Sequence, residues 1–422
     1  MSLRGPGFHS HPVASVIVCS KIVHPYLGVK ASVALFEFFP GNYVWNLSVA
    51  IALASGAEPG EIFEMCQPLK NAAARGEDAG TAQFLAAWVA MAEKLIGLAA
   101  DDEARGRAYS AAHKLQRAAL YLLNAERMQG HGHPGRAETY AKAQQSFRRC
   151  IGLGNENCER CVIPYRNSSI PALLTRADRP SEDCRPGPCV LFVNGLDSCK
   201  ELLYWSRLPH ALAQRGISTL CVDQPGSGEA LRLNGLHATY EAEQWATPCY
   251  EWLADRPDID PARIGMTGIS LGGYFVPRAM AFERRFASGA VWGANHDWAQ
   301  VQRRRLQREG ENPVPHYWHH VMWVFGAHDM QDFLEKSAGM HLDGVLERIK
   351  VPFLVTHGEH DRQIPLSHAR QTFEQLTGSP RRELKIFTAR EGGIEHVGAD
   401  NMSFGRDYIA DWFAETLGGH TA

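Results

Sequence analysis

Apolar positions along the chain follow two different rhythms, and the change falls near Cys150. From Glu61 to Arg149 they recur every three or four residues in sequence rich in Ala, Leu, Glu, Lys and Gln, the period of amphipathic helices. Thr81–Ala100 and Glu103–Gln129 are the clearest helical segments, the second with Leu115, Ala119, Leu122 and Leu123 on one face. Glycine and proline break the pattern at Gly76-Glu-Asp-Ala-Gly80 and Gly130-His-Gly-His-Pro-Gly135, where helices should end. Phe38 to Ala57 carries no charged residue over 20 positions. Pro40, Gly41, Asn42, Asn46 and Ser48 leave an apolar part of only about 12 residues, which suits a buried helix and not a membrane span.

After Cys150 the rhythm becomes short apolar runs separated by helical stretches. Val162–Tyr165 and Ile170–Thr175 flank Arg166-Asn-Ser-Ser169 as a hairpin. Cys189–Val193, Ser218–Val222, Arg263–Thr267, Gly289–Trp292, Phe353–Thr356 and Leu384–Phe387 follow. Continuous runs of this kind belong to parallel strands buried on both faces. Trp298 to Ile349 interrupts the alternation with aromatic-rich helical sequence, including His316-Tyr-Trp-His-His320 and Trp323. The organisation expected is a helical cap domain over 1–150, then an α/β domain over 151–422 with a lid-like insertion at about 298–349.

The 422 residues include 45% hydrophobic and 21% charged residues, ordinary globular usage. Basic and acidic residues number 43 and 46, so no charge excess marks the chain for nucleic acid or an anionic membrane. Ten cysteines in a chain this long are too sparse for a disulfide scaffold. The start, Met-Ser-Leu-Arg-Gly-Pro-Gly-Phe-His, lacks an apolar signal core, and a cytoplasmic protein is expected.

The chemistry centres on Gly268-Ile-Ser270-Leu-Gly272, a G-x-S-x-G placed between an apolar strand and a helical pattern. Such an elbow holds the serine in strained geometry over the sheet, at the positive end of the following helix. A serine hydroxyl needs a base, and the base needs an orienting acid. Asp361 lies in the loop after Phe353–Thr356, with Glu359 as a rival; His396 lies in the glycine-flanked loop Glu391-Gly-Gly-Ile-Glu-His396. His357, His360 and His368 read as loop or surface histidines. The N–H of Leu271, and that of Leu196 in Asn194-Gly195-Leu196-Asp197, are the candidate oxyanion donors. Tyr274 and Trp292 are candidate substrate contacts, with Trp318, Trp323, Trp45 and Tyr121 as further aromatic lining. His296 and Asp297 are candidates for protonating a leaving group, or alternatively for capping the next helix.

Cys158-Glu-Arg-Cys161 lacks a second pair at zinc-ribbon spacing. Asp223-Gln-Pro-Gly-Ser-Gly-Glu229 lacks the full dinucleotide fingerprint and reads as a tight strand-end loop. No metal and no cofactor is expected.

Asn194–Glu201, Asp223–Glu229, Gly268–Tyr274, Trp292–Asn295 and Glu391–His396 together resemble the α/β-hydrolase fold, a mostly parallel sheet with helices on both faces. Within it the chain is similar to the subgroup with an N-terminal all-helical cap. That subgroup includes 2,6-dihydroxypseudooxynicotine hydrolase, fungal yellowish-green polyketide-shortening hydrolases and the fermentation–respiration switch protein. The resemblance implies a serine hydrolase cleaving a carbon–carbon bond next to a carbonyl in an aromatic or polyketide-like ketone. A carboxylesterase, lactonase or acyltransferase would use the same groups, and a regulatory binding protein on the same scaffold is the reading from another class. The expected partner is a small-molecule carbonyl or ester substrate, with no nucleic acid and no membrane; a homodimer is compatible with the chain.

Overall fold

The computed structural model describes residues 35–178, 186–308 and 310–421. The N-terminal stretch read as lacking a signal, together with Cys19 and Cys184, lies outside the described residues.

Helices α1 (Tyr43–Ala54), α2 (Pro59–Cys66), α3 (Lys70–Ala73), α4 (Thr81–Ala104), α5 (Ala108–Arg127) and α6 (Arg136–Gly154) come first. Asn42 caps α1 by accepting the N–H of Trp45 at 3.1 Å. The uncharged stretch is indeed a buried helix, because both of its faces are covered. One break differs from the sequence pattern: Glu103 continues α4, Gly106 turns the chain at φ +72°, and α5 starts at Ala108. Among the described residues, α4 alone is long and apolar enough to cross a membrane. Its apolar stripe (Phe84, Trp88, Met91, Ala92, Leu95) is buried in the helical core. Phe39, Trp45, Phe84, Trp88 and Tyr121 form a continuous aromatic stack through that core, with successive centroids 4.6–5.6 Å apart.

Strands β1 (Glu159–Tyr165), β2 (Ser168–Thr175), β3 (Gly187–Val193), β4 (Ser218–Val222), β5 (Ile259–Ile269), β6 (Ser288–Trp292), β7 (Phe353–Gly358) and β8 (Arg382–Phe387) form one sheet, ordered β1-β2-β4-β3-β5-β6-β7-β8. The pairs β1–β2 and β2–β4 are antiparallel and the rest parallel. Arg166, at φ +51°, makes the tight turn of the first hairpin. β4, β6 and β7 are buried at every position, which is why they read as unbroken apolar runs. β1, at the edge, alternates between exposed and buried.

Helices Trp298–Leu306, Tyr317–Val324 and Met330–Ser337 lie between β6 and β7, where the sequence suggested an insertion. The N-terminal helices are tied to the sheet layer by a buried charge cluster. Glu126 accepts from Arg136 at 2.7 Å and from Arg232, in the helix after β4, at 2.8 Å. Burial pushes the Glu126 carboxyl up, but the two guanidinium groups outweigh it and hold it down at about 2. Its neighbour Arg127 turns the other way, donating to Asp197 at 2.5 Å, Ser48 at 2.8 Å and the Pro313 carbonyl at 2.6 Å.

Candidate active site

β5 ends at Ile269 and the helix Gly272–Phe282 begins almost at once, so Ser270 must reverse the chain by itself. It does so at φ +59°, a left-handed conformation that costs a non-glycine residue about 1–3 kcal/mol. The strain is held by backbone bonds: the Ser270 N–H donates to the Trp292 carbonyl at 3.0 Å, and its carbonyl accepts from Gly273 at 2.8 Å. A Cβ at Gly268 would lie 2.7 Å from Val193, and one at Gly273 only 2.0 Å from the Gly293 carbonyl oxygen. The glycines of the motif are therefore requirements of close packing.

The loops after β7 and β8 bring a histidine and a carboxylate to this serine. The Ser270 hydroxyl lies 2.8 Å from His396 Nε2, and His396 Nδ1 lies 2.7 Å from Asp361 Oδ2. Asp361, whose side chain is fully buried, also accepts the N–H groups of Gln363 at 2.8 Å and Ile364 at 3.0 Å. Burial raises its carboxyl, but the charge and hydrogen bond of His396, with lesser help from His357 and the Ile364 N–H, bring it to about 2. An ionised Asp361 can only accept, so Nδ1 carries the proton and Nε2 is free to accept from Ser270. The rival Glu359 is exposed.

The histidine loop is shaped by a residue that sequence reasoning missed. Asp400 accepts the N–H groups of Gly393, Ile394 and Glu395 at 2.8–3.2 Å. Glu395 pairs with Arg362 at 2.7 Å. His357 and His368 are buried, contrary to the expectation of loop or surface positions; His360 is exposed.

Gly195 lets the loop after β3 reach the serine, since a Cβ there would stand 2.9 Å from Ser270 Cβ. Asn194 fixes that loop: its amide donates to the Val222 carbonyl at 2.8 Å, and its backbone exchanges bonds with the Gln224 side chain at 3.0 Å in both directions. The loop Asp223–Glu229 thus buttresses the site, with Asp223 bonded in turn to Lys200. Among the described residues, no protein acceptor takes the N–H of Leu196 or Leu271, and both residues face the cavity.

That cavity, about 110 Å³, lies between the layers. Leu47, Ala50 and Ile51 of α1 and Arg127 of α5 form one side; Ser270 and His396 form the other, with Trp298, Val301, Arg305 and Tyr317 from the β6–β7 segment. The expected substrate contacts are elsewhere. Tyr274 is buried in the core with its hydroxyl donating to the carbonyls of Tyr240 (2.9 Å) and Gly339 (3.2 Å). Trp292 packs beneath the sheet against Gly405, contributing only its carbonyl to the elbow. Asp297 caps the helix Trp298–Leu306, accepting from Gln300 at 2.7 Å. His296 is buried between Thr372 (3.1 Å) and Asp343 (3.0 Å), outside the cavity. Trp45 and Tyr121 belong to the helical core stack, Trp318 packs on Tyr317 and Phe333, and Trp323 stacks on His131. Among the polar residues that do line the cavity, Arg127, Asp197, Asn295, Arg305 and Gln363 were not singled out from sequence. One signal for Arg305 was present: Trp298, Val301 and Arg305 fall at i, i+3 and i+7 on one helix face.

Among the described residues, no group of three or more His, Cys, Asp and Glu side chains is arranged to hold a metal ion.

A mostly parallel eight-stranded sheet covered by helices, with a serine elbow facing histidine and carboxylate loops, makes this protein an α/β hydrolase. Residues 205–420 match the prolyl oligopeptidase family (peptidase S9), and the chain belongs to that family. It is 26% identical over 340 residues to 2,6-dihydropseudooxynicotine hydrolase of Paenarthrobacter nicotinovorans, covering 78% of this chain and 83% of that protein. It is 28% identical over 377 residues to 20-hydroxy-prefusarin hydrolase FUS2 of Gibberella moniliformis, covering 80% and 87%. The hydrolase acrC of Aspergillus aculeatus is 26% identical over 408 residues, covering 85% and 93%. The crystal structure of 2,6-dihydroxy-pseudo-oxynicotine hydrolase shares the fold, with a TM-score of 0.72 at 22% identity over 87% of this chain and 95% of that one. The expected resemblance to hydrolases of this subgroup therefore holds, and the chain is a hydrolase by family.

Proposed function

We propose that the protein is a serine hydrolase that cleaves the bond between a carbonyl carbon and a stabilised carbon leaving group in a bulky ketone. The observation that carries this reading is the unbroken chain Ser270–His396–Asp361, with contacts of 2.8 and 2.7 Å, opening into the cavity between the helical layer and the sheet. Relatives named for the hydrolysis of dihydropseudooxynicotine and prefusarin support a substrate of that bulk.

His396 Nε2 takes the hydroxyl proton as Ser270 Oγ bonds to the carbonyl carbon, and the N–H groups of Leu271 and Leu196 receive the developing oxyanion. The adduct then breaks its carbon–carbon bond. The electron pair leaves with the departing carbon as an enolate, which takes the proton held on His396 Nε2. Water, deprotonated by the same nitrogen, attacks the acyl-serine and releases a carboxylic acid. Asp361 keeps the imidazole in the required tautomer and stabilises its cationic form. An ester passes through the same steps with an alkoxide leaving. On this reading the helices before β1 act as a cap domain and the β6–β7 segment as its lid.

A fluorophosphonate probe is expected to label Ser270, and Ser270→Ala to abolish both labelling and turnover. Products from a matched 1,3-diketone and aryl ester distinguish carbon–carbon from ester cleavage. Turnover retained in Ser270→Ala would refute the proposal.

A further inference from the structure

The cavity lining contains a guanidinium that makes no ion pair among the described residues. Arg305 is only 8% exposed and lines the cavity that holds Ser270. Its Nη2 donates to the Gln363 carbonyl at 3.3 Å and its guanidinium lies against Tyr317, 4.8 Å from the ring centroid, while buried Nε and Nη1 have no acceptor in hydrogen-bond geometry among the described residues. No carboxylate pairs with it among the described residues. The adjacent arginines behave differently: Arg127 is matched by Asp197 in the same cavity, and Arg362 by Glu395. In the cavity lining Arg127 and Asp197 pair with each other, so no carboxylate of the lining bonds to Arg305, and Glu77, outside the lining, acts on it only through space. Asn295, also in the lining, has a buried Oδ1 with no donor among the described residues.

Unpaired buried N–H groups of a charged fork are expensive to keep, and the planar guanidinium matches a delocalised pair of oxygens. We infer that Arg305 holds a delocalised oxyanion of the substrate in the cavity, a carboxylate or the enolate of a 1,3-dicarbonyl. Tyr317 and the Gln363 carbonyl fix the plane of the guanidinium, leaving the Nε–H and the Nη1 protons, which lie on different edges of the fork, as its donors without an acceptor among the described residues. Arg305 is a binding and specificity residue here, and it takes no proton. The inference builds on the proposed serine chemistry, whose carbon–carbon substrates are enolisable.

Two matched pairs test it. One is a 4-nitrophenyl glutarate monoester against its methyl ester; the other is an enolised 1,3-diketone against its 2,2-dimethyl analogue, which cannot enolise. The wild-type protein is expected to favour the anionic member of at least one pair by roughly 100-fold in kcat/KM, the scale of a buried charge pair. The pair that shows the preference identifies the anion. Arg305→Met should lower kcat/KM for the anionic member far more than for the neutral one and so abolish the preference, and Arg305→Lys should retain it only in part. Equal loss on both members, or no preference in the wild type, would overturn the inference. Calorimetric binding of glutarate and of the enolised diketone to Ser270→Ala separates this claim from the chemistry. Binding of either that is lost on adding Arg305→Met supports the anchor even if no substrate turns over; binding of neither, or binding unchanged by the substitution, refutes it. Thermal unfolding of ligand-free Arg305→Met provides a further check: a melting temperature equal to or above wild type fits an anion site, and a large drop points to a structural arginine and against the assignment.

Discussion

Replacing Gly195 by alanine would test the oxyanion assignment without substituting any member of the Ser270–His396–Asp361 chain. A Cβ at this position would sit 2.9 Å from Ser270 Cβ, 3.2 Å from the Ile269 carbonyl oxygen and 3.4 Å from Ser270 Oγ. Relieving the closest approach means moving it from 2.9 Å to the 3.4 Å at which ordinary contact begins. The elbow is clamped by the Trp292 carbonyl and by the glycines packed beneath it, so the loop of Gly195 and Leu196 must supply most of that movement. Losing an oxyanion donor costs ~10²–10³ in rate, and a misplacement of about 1 Å costs ~10². A shift of half that size should lower kcat by roughly 10- to 100-fold, or about 1.4–2.7 kcal/mol of barrier. KM should change less than kcat, because the rest of the cavity lining keeps its place. Overpacking should cost about 1–3 kcal/mol of stability. Steady-state kinetics on an activated ester, with thermal unfolding as the control for folding, reads both numbers. A folded Gly195→Ala protein with kcat within threefold of wild type would show that the Leu196 N–H does not serve the transition state.

Two other outcomes follow from the charges. Asp361→Asn should keep the fold near pH 7 and lower kcat by about 10⁴, as an amide favours the wrong imidazole tautomer; an effect under tenfold on single-turnover rates would contradict the role given to Asp361. Because folding depresses its carboxyl to about 2, Asp361 contributes stability that is present above its unfolded pKa near 4 and lost as pH falls toward 2. Urea unfolding should therefore show the wild-type advantage over Asp361→Asn shrinking between pH 5 and pH 3, and a constant difference would count against it. Glu126→Gln should destabilise by about 3–5 kcal/mol by leaving Arg136 and Arg232 buried against a neutral amide, measured by denaturant unfolding at pH 7; a cost under 1 kcal/mol would mean the cluster does not join the layers.

The sheet and the three aligned side chains were legible because each leaves a local mark. Strands buried on both faces must be apolar throughout, and an elbow that admits no Cβ at Gly268 or Gly273 must carry glycine there. The cavity-lining residues leave no such mark, since they are chosen by how one layer sits on another. Tyr274 and Trp292 are near Ser270 in sequence and strand order, yet their side chains point into the packing beneath it. Arg127 and Arg305 belong to helices far from Ser270 in the chain, and only the docking of those helices brings them to the cavity. Asp400 was invisible for a related reason: its work is to accept backbone N–H groups, and sequence does not record which carboxylate faces a loop.

Glu126 and Arg127 are consecutive, opposite in sign, and answered by opposite signs on two different elements. If α5 slid by a single position, one direction would bring Arg127 up to two arginines and the other would bring Glu126 up to Asp197. Greasy surfaces tolerate such slips; this dipeptide does not. The alignment of the helical layer over Ser270 is thus encoded as an order of plus and minus, which makes misassembly self-rejecting.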